Sequence, residues 1–169
     1  AKASDMIKQV LNDQTDPKQT YAVADIALMV KDLDNAEAAY KKGLTLGGSA
    51  DRSTAGLAKV TQSRATAVEE NRVANELSKK NQFDGAISKY RNALAANPTL
   101  ADARYGLGRA LEKSKNPNSA ALLEAVQQYD YYLNLRTDMP SKDREKMVKD
   151  NAKLKEKALK QKEKEAKKR

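Results

Sequence analysis

The feature that most constrains this chain is a pattern that returns after fifty residues. Residues 67–98, AVEENRVANELSKKNQFDGAISKYRNALAANP, hold two amphipathic helical patterns around a short polar break. Ala86, Tyr90, Ala93 and Leu94 share one face of the second pattern, and Pro98 ends it. Ala36, Tyr40 and Leu44 map onto Ala86, Tyr90 and Leu94 at an offset of 50, and Gly56-Leu57 maps onto Gly106-Leu107. One partner helix cannot cover both faces of such a hairpin. A duplicated hairpin therefore predicts an all-α stack in which neighbouring copies bury each other.

Composition agrees with close-packed helices. Trp is absent, Phe occurs once and aromatics make up 5% of the chain, so Ala and Leu carry the apolar content. With 33% of residues charged, the expected body is thin and elongated. No apolar run approaches the roughly 20 residues that cross a bilayer, so no transmembrane segment is expected. The chain opens on Ala1 with neither a charged n-region nor an apolar h-region, which points to a removed leader or to a piece of a longer protein, the second being the expectation.

In chain order, Ser4 is expected to cap a leading helix over 4–15 that carries Met6, Ile7, Val10 and Leu11 and stops at Asp16-Pro17. A first hairpin over 18–48 follows. Tyr21, Ala24, Ile26, Ala27 and Leu28 mark its first helix, Ala36, Tyr40, Gly43 and Leu44 its second, and Gly47-Gly48 closes it. From Asp51 to Lys80 there is no Pro and no break apart from Gly56, which predicts one helix of about 30 residues serving two neighbouring hairpins. The other hairpins are expected over 67–98 and 100–135. The last has extra residues near NPNSAALL that lengthen its second helix, with Ser119 as cap and Leu122, Val126, Tyr129 and Leu133 as buried stripe.

These alternating helices resemble the tetratricopeptide repeat (TPR) family over residues 17–135. In that family's frame repeats begin near Pro17, Ala67 and Ala101. Ala36, Ala86 and Ala125 take the close-contact Ala of the second helix, Tyr40, Tyr90 and Tyr129 its aromatic, while Leu107-Gly108 and Pro98 stand where the family has Leu-Gly and Pro. The family's early Trp is replaced by Thr20, Glu70 and Arg104, and its mid-helix Tyr by Ala27, Leu77 and Leu111. The resemblance implies a TPR-like α-solenoid over 1–139, with one long shared helix at about 51–80, followed by a basic helix over 140–169. YDYYLNL followed by MPSKDREKMVKDNAKL is similar to repeat segments of bacterial multi-domain and envelope proteins, which points to a bacterial source.

The net charge of +9 looks like a signature of nucleic-acid binding until it is located. Residues 140–169 hold 13 Lys and Arg against 6 Asp and Glu, and residues 1–139 hold 19 against 17, so the body is nearly neutral. Ser141 is expected to cap the terminal helix, and Met147, Val148, Leu154 and Ala158 to cover the last hairpin. Each acidic residue of the segment has a Lys three or four positions on, as in Asp150-Lys153, which favours a solvated helix with a reduced field.

Catalysis has little to stand on. Without His or Cys the commonest general base, nucleophile and metal ligands are missing, and no activated Ser, Thr, Lys or Tyr stands near a glycine turn. Gly106-Leu-Gly108 lacks the third glycine of a dinucleotide fingerprint, and Asp32-Leu-Asp34-Asn35 lacks the glycine and distal Glu of a calcium loop. The expectation is no catalytic residue, no metal and no cofactor.

Binding is the productive reading. In TPR proteins first helices line a concave face, and the family frame places Tyr21, Asp25, Asn71, Asn75, Ser78, Lys79, Tyr105, Arg109 and Lys113 there. Amide, cationic and aromatic groups together suit an extended peptide or a partner helix carrying carboxylates. Asn71 and Asn75 resemble part of a carboxylate clamp, but Gly106 stands where that clamp has Asn, and the clamp's cationic pair in a following repeat has no counterpart here. The expected function is a non-catalytic adaptor for a protein or peptide. The alternatives are self-association and binding of nucleic acid or an anionic surface through the basic helix.

Overall fold

The computed structural model describes residues 2–168. Among them the chain forms eight α-helices and no strand: α1 (Lys2–Asp13), α2 (Pro17–Met29), α3 (Leu33–Thr45), α4 (Ala50–Lys79), α5 (Phe83–Ala96), α6 (Ala101–Lys113), α7 (Ser119–Leu135) and α8 (Ser141–Ala166). The fold is all-α and TPR-like, and α4 has the 30 residues expected of the long helix. The helices fall into two compact units, one taking the chain up to Val68 together with Ala95–Pro98, the other Glu69–Leu94 and the chain from Thr99 onward.

In the first unit, Pro17 opens α2 and Asp16 caps it, its side chain accepting from the N–H groups of Lys18 (2.6 Å) and Gln19 (3.1 Å). The α2–α3 turn puts Lys31 in the left-handed region at φ 61°, which lets the Asp32 N–H reach the Ala27 carbonyl at 2.8 Å. Ala24, Ala27, Ala36 and Ala39 are fully buried, so helix backbones approach closely, and Leu11 and Val60 close the cluster. The Tyr40 ring lies on Gly56, where a Cβ would come within 2.3 Å of it.

Two expectations are corrected here. Ser4 sits inside α1 rather than capping it, and its hydroxyl and carbonyl oxygens accept from the Asn35 amide. Leu44 is exposed although its counterpart Leu94 is buried: Leu94 belongs to the core cluster of its unit, whereas Leu44 lies outside that of the first unit.

The second unit repeats the devices. Asn81 takes the left-handed position at φ 58°, and the Gln82 N–H meets the Leu77 carbonyl at 2.9 Å. The Tyr90 ring covers Gly106 at 2.3 Å from an ideal Cβ, and the Tyr129 ring covers Gly108 at 2.8 Å. Leu107, Leu111, Leu122 and Val126 fill the core between α6 and α7, and Leu154 and Ala158 of α8 close it.

The lengthened α7 has 17 residues against 13 in α3. Its cap is Asn118, which accepts from the Ala121 N–H at 2.8 Å. Ser119, expected there, is the first helical residue and gives its N–H and hydroxyl to Glu165. Likewise Pro140 precedes α8, and Ser141 is already helical without a capping bond. Val148 is 49% exposed, since it points away from the line of Met147, Leu154 and Ala158 that meets the core.

Candidate functional site

In the second unit, α4 and α6 border a groove of about 470 Å³. Asn75, Ser78 and Lys79 reach it from α4 one turn apart, and Tyr105, Arg109 and Lys113 reach it from α6 at successive i, i+4 positions. Tyr90 stands in its wall. The Tyr90 hydroxyl donates to Asn75 Oδ1 at 2.7 Å and lies 3.4 Å from Ser78 Oγ. With Oδ1 occupied, Asn75 offers the groove its N–H donors.

That wall explains a departure noted in the sequence. The clamp-like pattern has Asn at the place of Gly106, and here the Tyr90 ring occupies the space of any side chain. Helix packing and clamp chemistry compete for one position, and packing holds it.

The groove carries Lys79, Arg109 and Lys113 against the carboxylate of Asp102. The Arg109 guanidinium lies 5.8 Å from the Tyr105 ring centroid, and Tyr105 packs 5.9 Å from Tyr129 and 5.1 Å from Tyr132. Burial pushes the Tyr129 hydroxyl well above the usual tyrosine range, and the nearby Glu112 carboxylate, accepting from it at 3.1 Å, adds to the effect.

Six of the nine residues expected to face a partner thus meet in one groove. Asn71 does not line it, and its Oδ1 is buried without a partner. Tyr21 and Asp25 belong to the first unit, where Tyr21 is buried and Asp25, although exposed, is held by neighbouring side chains. Tyr21 is 2% exposed, its ring against Gly43 and Gly48 and its hydroxyl donating to the Ser49 carbonyl at 2.8 Å, which corrects its expected exposure. Asp25 accepts from the Tyr40 hydroxyl and from Arg52, both at 2.6 Å. Burial alone would raise the Asp25 carboxyl, but those two bonds outweigh it and hold it below the usual carboxylate range.

The Tyr40–Asp25 bond in one unit and the Tyr90–Asn75 bond in the other are the same device fifty residues apart. Sequence reasoning placed Tyr90 in the core and missed that its hydroxyl reaches the groove. It also missed Asn81, Phe83 and Asp102 in the lining. The equal offsets of 40 to 90 and 25 to 75 were the available signal.

Stacked Ala seams, hairpins and tyrosines seated on glycines define a helical-repeat protein. Residues 74–115, from the end of α4 through α6, match the family model described as TPR repeat. This chain carries a tetratricopeptide repeat there, and TPR proteins as a class are protein-interaction modules. Among solved structures it is similar to the crystal structure of MamA, at 18% identity and a TM-score of 0.40, over 98% of this chain and 90% of that one. No curated protein matches the sequence. Among the described residues no helix is long and apolar enough to cross a membrane.

Proposed function

We propose that the α4–α6 groove docks an extended peptide segment of a partner protein and performs no catalysis. The observation that supports this is the convergence of Asn75, Ser78, Lys79, Tyr105, Arg109 and Lys113 in one groove. Asn75 and Ser78 suit the backbone of an extended peptide. The three cations suit an acidic side chain or a terminal carboxylate, and the Tyr105 ring an apolar one. The Tyr90 hydrogen bond fixes Asn75 before any partner arrives, so docking needs little rearrangement.

Selection from a random-peptide display library on the immobilised chain is expected to enrich acidic sequences. Their affinity, read by fluorescence anisotropy, should fall at least about tenfold in a Lys79→Glu/Lys113→Glu variant. Failure to enrich any peptide, or enriched peptides indifferent to that double substitution, would overturn the reading.

A further inference from the structure

Along α8 the lysines fall on one line. From Lys142 to Lys164 they recur after four, three, four, four, three and four residues, which places seven lysines on one flank over roughly 33 Å. All seven are exposed, whereas Asn151, Leu154 and Ala158, on the adjacent line, are buried. Carboxylates such as Asp143, Glu145, Asp150 and Glu156 also line the hollows of this flank, but few of them close an ion pair with a stripe lysine. Glu165 turns inward onto Ser119, and among the described residues the ion pair on the stripe is Lys153–Asp150 at 3.9 Å.

Three concavities lie in file along this flank, each lined by stripe lysines. The largest, about 650 Å³, runs between α6 and α8, with Met147, Leu154, Tyr105 and Tyr129 lining it among lysines of the stripe.

We infer that this flank of α8 docks an acidic amphipathic helix of another polypeptide, its carboxylates on the lysine line and its apolar side in the α6–α8 groove. A helix whose carboxylates recur every three and four residues has the same pitch as the stripe, about 5.4 Å per turn, and stays in step along its whole length. An extended strand repeats same-side residues at roughly 6.7 Å and drifts out of register within a few turns. The phosphates of a duplex wind around its axis, so a straight row of lysines follows one strand only briefly. A bilayer is disfavoured because the large apolar residues α8 leaves open, Val148 and Leu159, stand singly among charged side chains, and the rest of its apolar line is recessed in the α6–α8 groove. The two grooves share Tyr105 and Arg109, but the lysine stripe belongs to α8 alone, so charge reversal on the stripe tests this inference separately from the α4–α6 groove.

The test uses the full chain and a labelled synthetic helix of three heptads, with Leu on one face and Glu on its flanks. Competitors are the same composition scrambled, a short DNA duplex and phosphatidylserine vesicles, in about 0.15 M salt. The striped peptide is expected to bind, and the scrambled one at least about tenfold more weakly. Lys146→Glu/Lys153→Glu/Lys157→Glu should lose the Glu-striped peptide and gain a Lys-striped one, with its circular dichroism unchanged because all three side chains are exposed. Lys79→Glu, in the other groove, should leave this binding intact. Equal binding of the scrambled peptide, tighter binding of duplex or vesicles, no peptide binding, or a charge-reversed variant that keeps its affinity for the Glu-striped peptide would each overturn the inference.

Discussion

Gly106→Ala should destabilise this protein although it replaces the poorer helix former with the best one. In an exposed helix interior the exchange gains about 1 kcal/mol. At position 106 the new Cβ would stand 2.3 Å from Cε1 and 2.4 Å from Cζ of Tyr90. Carbon atoms prefer roughly 3.5–4.0 Å, so the ring must retreat by more than about 1 Å. That ring is 2% exposed and tied at its far end by the 2.7 Å bond to Asn75.

Overpacking of this kind costs roughly 1–3 kcal/mol and the lost hydrogen bond about 1 kcal/mol, so the net expectation is a loss of about 1–3 kcal/mol. Gly85→Ala is the matched control. Its Cβ meets nothing nearer than Leu77 Cδ1 at 3.4 Å, so it should stabilise by up to about 1 kcal/mol. Urea unfolding followed by far-UV circular dichroism measures both. In a Tyr90→Leu background, Gly106→Ala should change sign and become favourable, which ties the loss to the ring. If Gly106→Ala in the unaltered chain is as stabilising as Gly85→Ala, the account of seated tyrosines is wrong.

Lys31→Gly should raise the melting temperature, because Lys31 holds a left-handed φ of 61° that costs a side-chain-bearing residue about 1 kcal/mol. Asn118→Ala should cost about 1 kcal/mol in the same urea assay by removing the bond that the Ala121 N–H makes to the Asn118 side chain. Burial, and then the hydrogen bond to Asp25, push the Tyr40 hydroxyl up to about 12 from 10.0. The native chain therefore keeps a proton that the unfolded chain releases, and stability is intact below about pH 10 and falls as pH rises toward about 12. Urea midpoints across that window should decline less steeply in Tyr40→Phe than in the unaltered chain.

Much of the fold was legible because its signals are local and periodic. The unbroken run from Asp51 to Lys80 became one helix, and the paired alanines and tyrosines at 36, 40, 86 and 90 became buried seams. Caps were less legible. Ser4, Ser119 and Ser141 each have the right chemistry, but helix boundaries depend on which neighbouring side chain reaches a free N–H, and Asn118 does so where Ser119 does not. Tyr21 was misread because its partners, Gly43 and Gly48, stand on and just past the next helix. The groove was legible as six residues on two helices, but not as a space with a tyrosine hydroxyl in its wall.

By itself the sequence determined that the chain is helical, that two of its hairpins are copies at a spacing of fifty, and which alanines lie at the seams, since each of these is carried by periodicity along the chain. Tertiary structure alone decided which polar groups are engaged within the protein and which line an open groove. Asp25 and Asn75 occupy equivalent positions and both accept from a tyrosine, yet Asp25 is also held by Arg52 while Asn75 keeps its N–H donors toward an open groove. The difference is set by atoms distant in the chain, and helical periodicity carries no record of them.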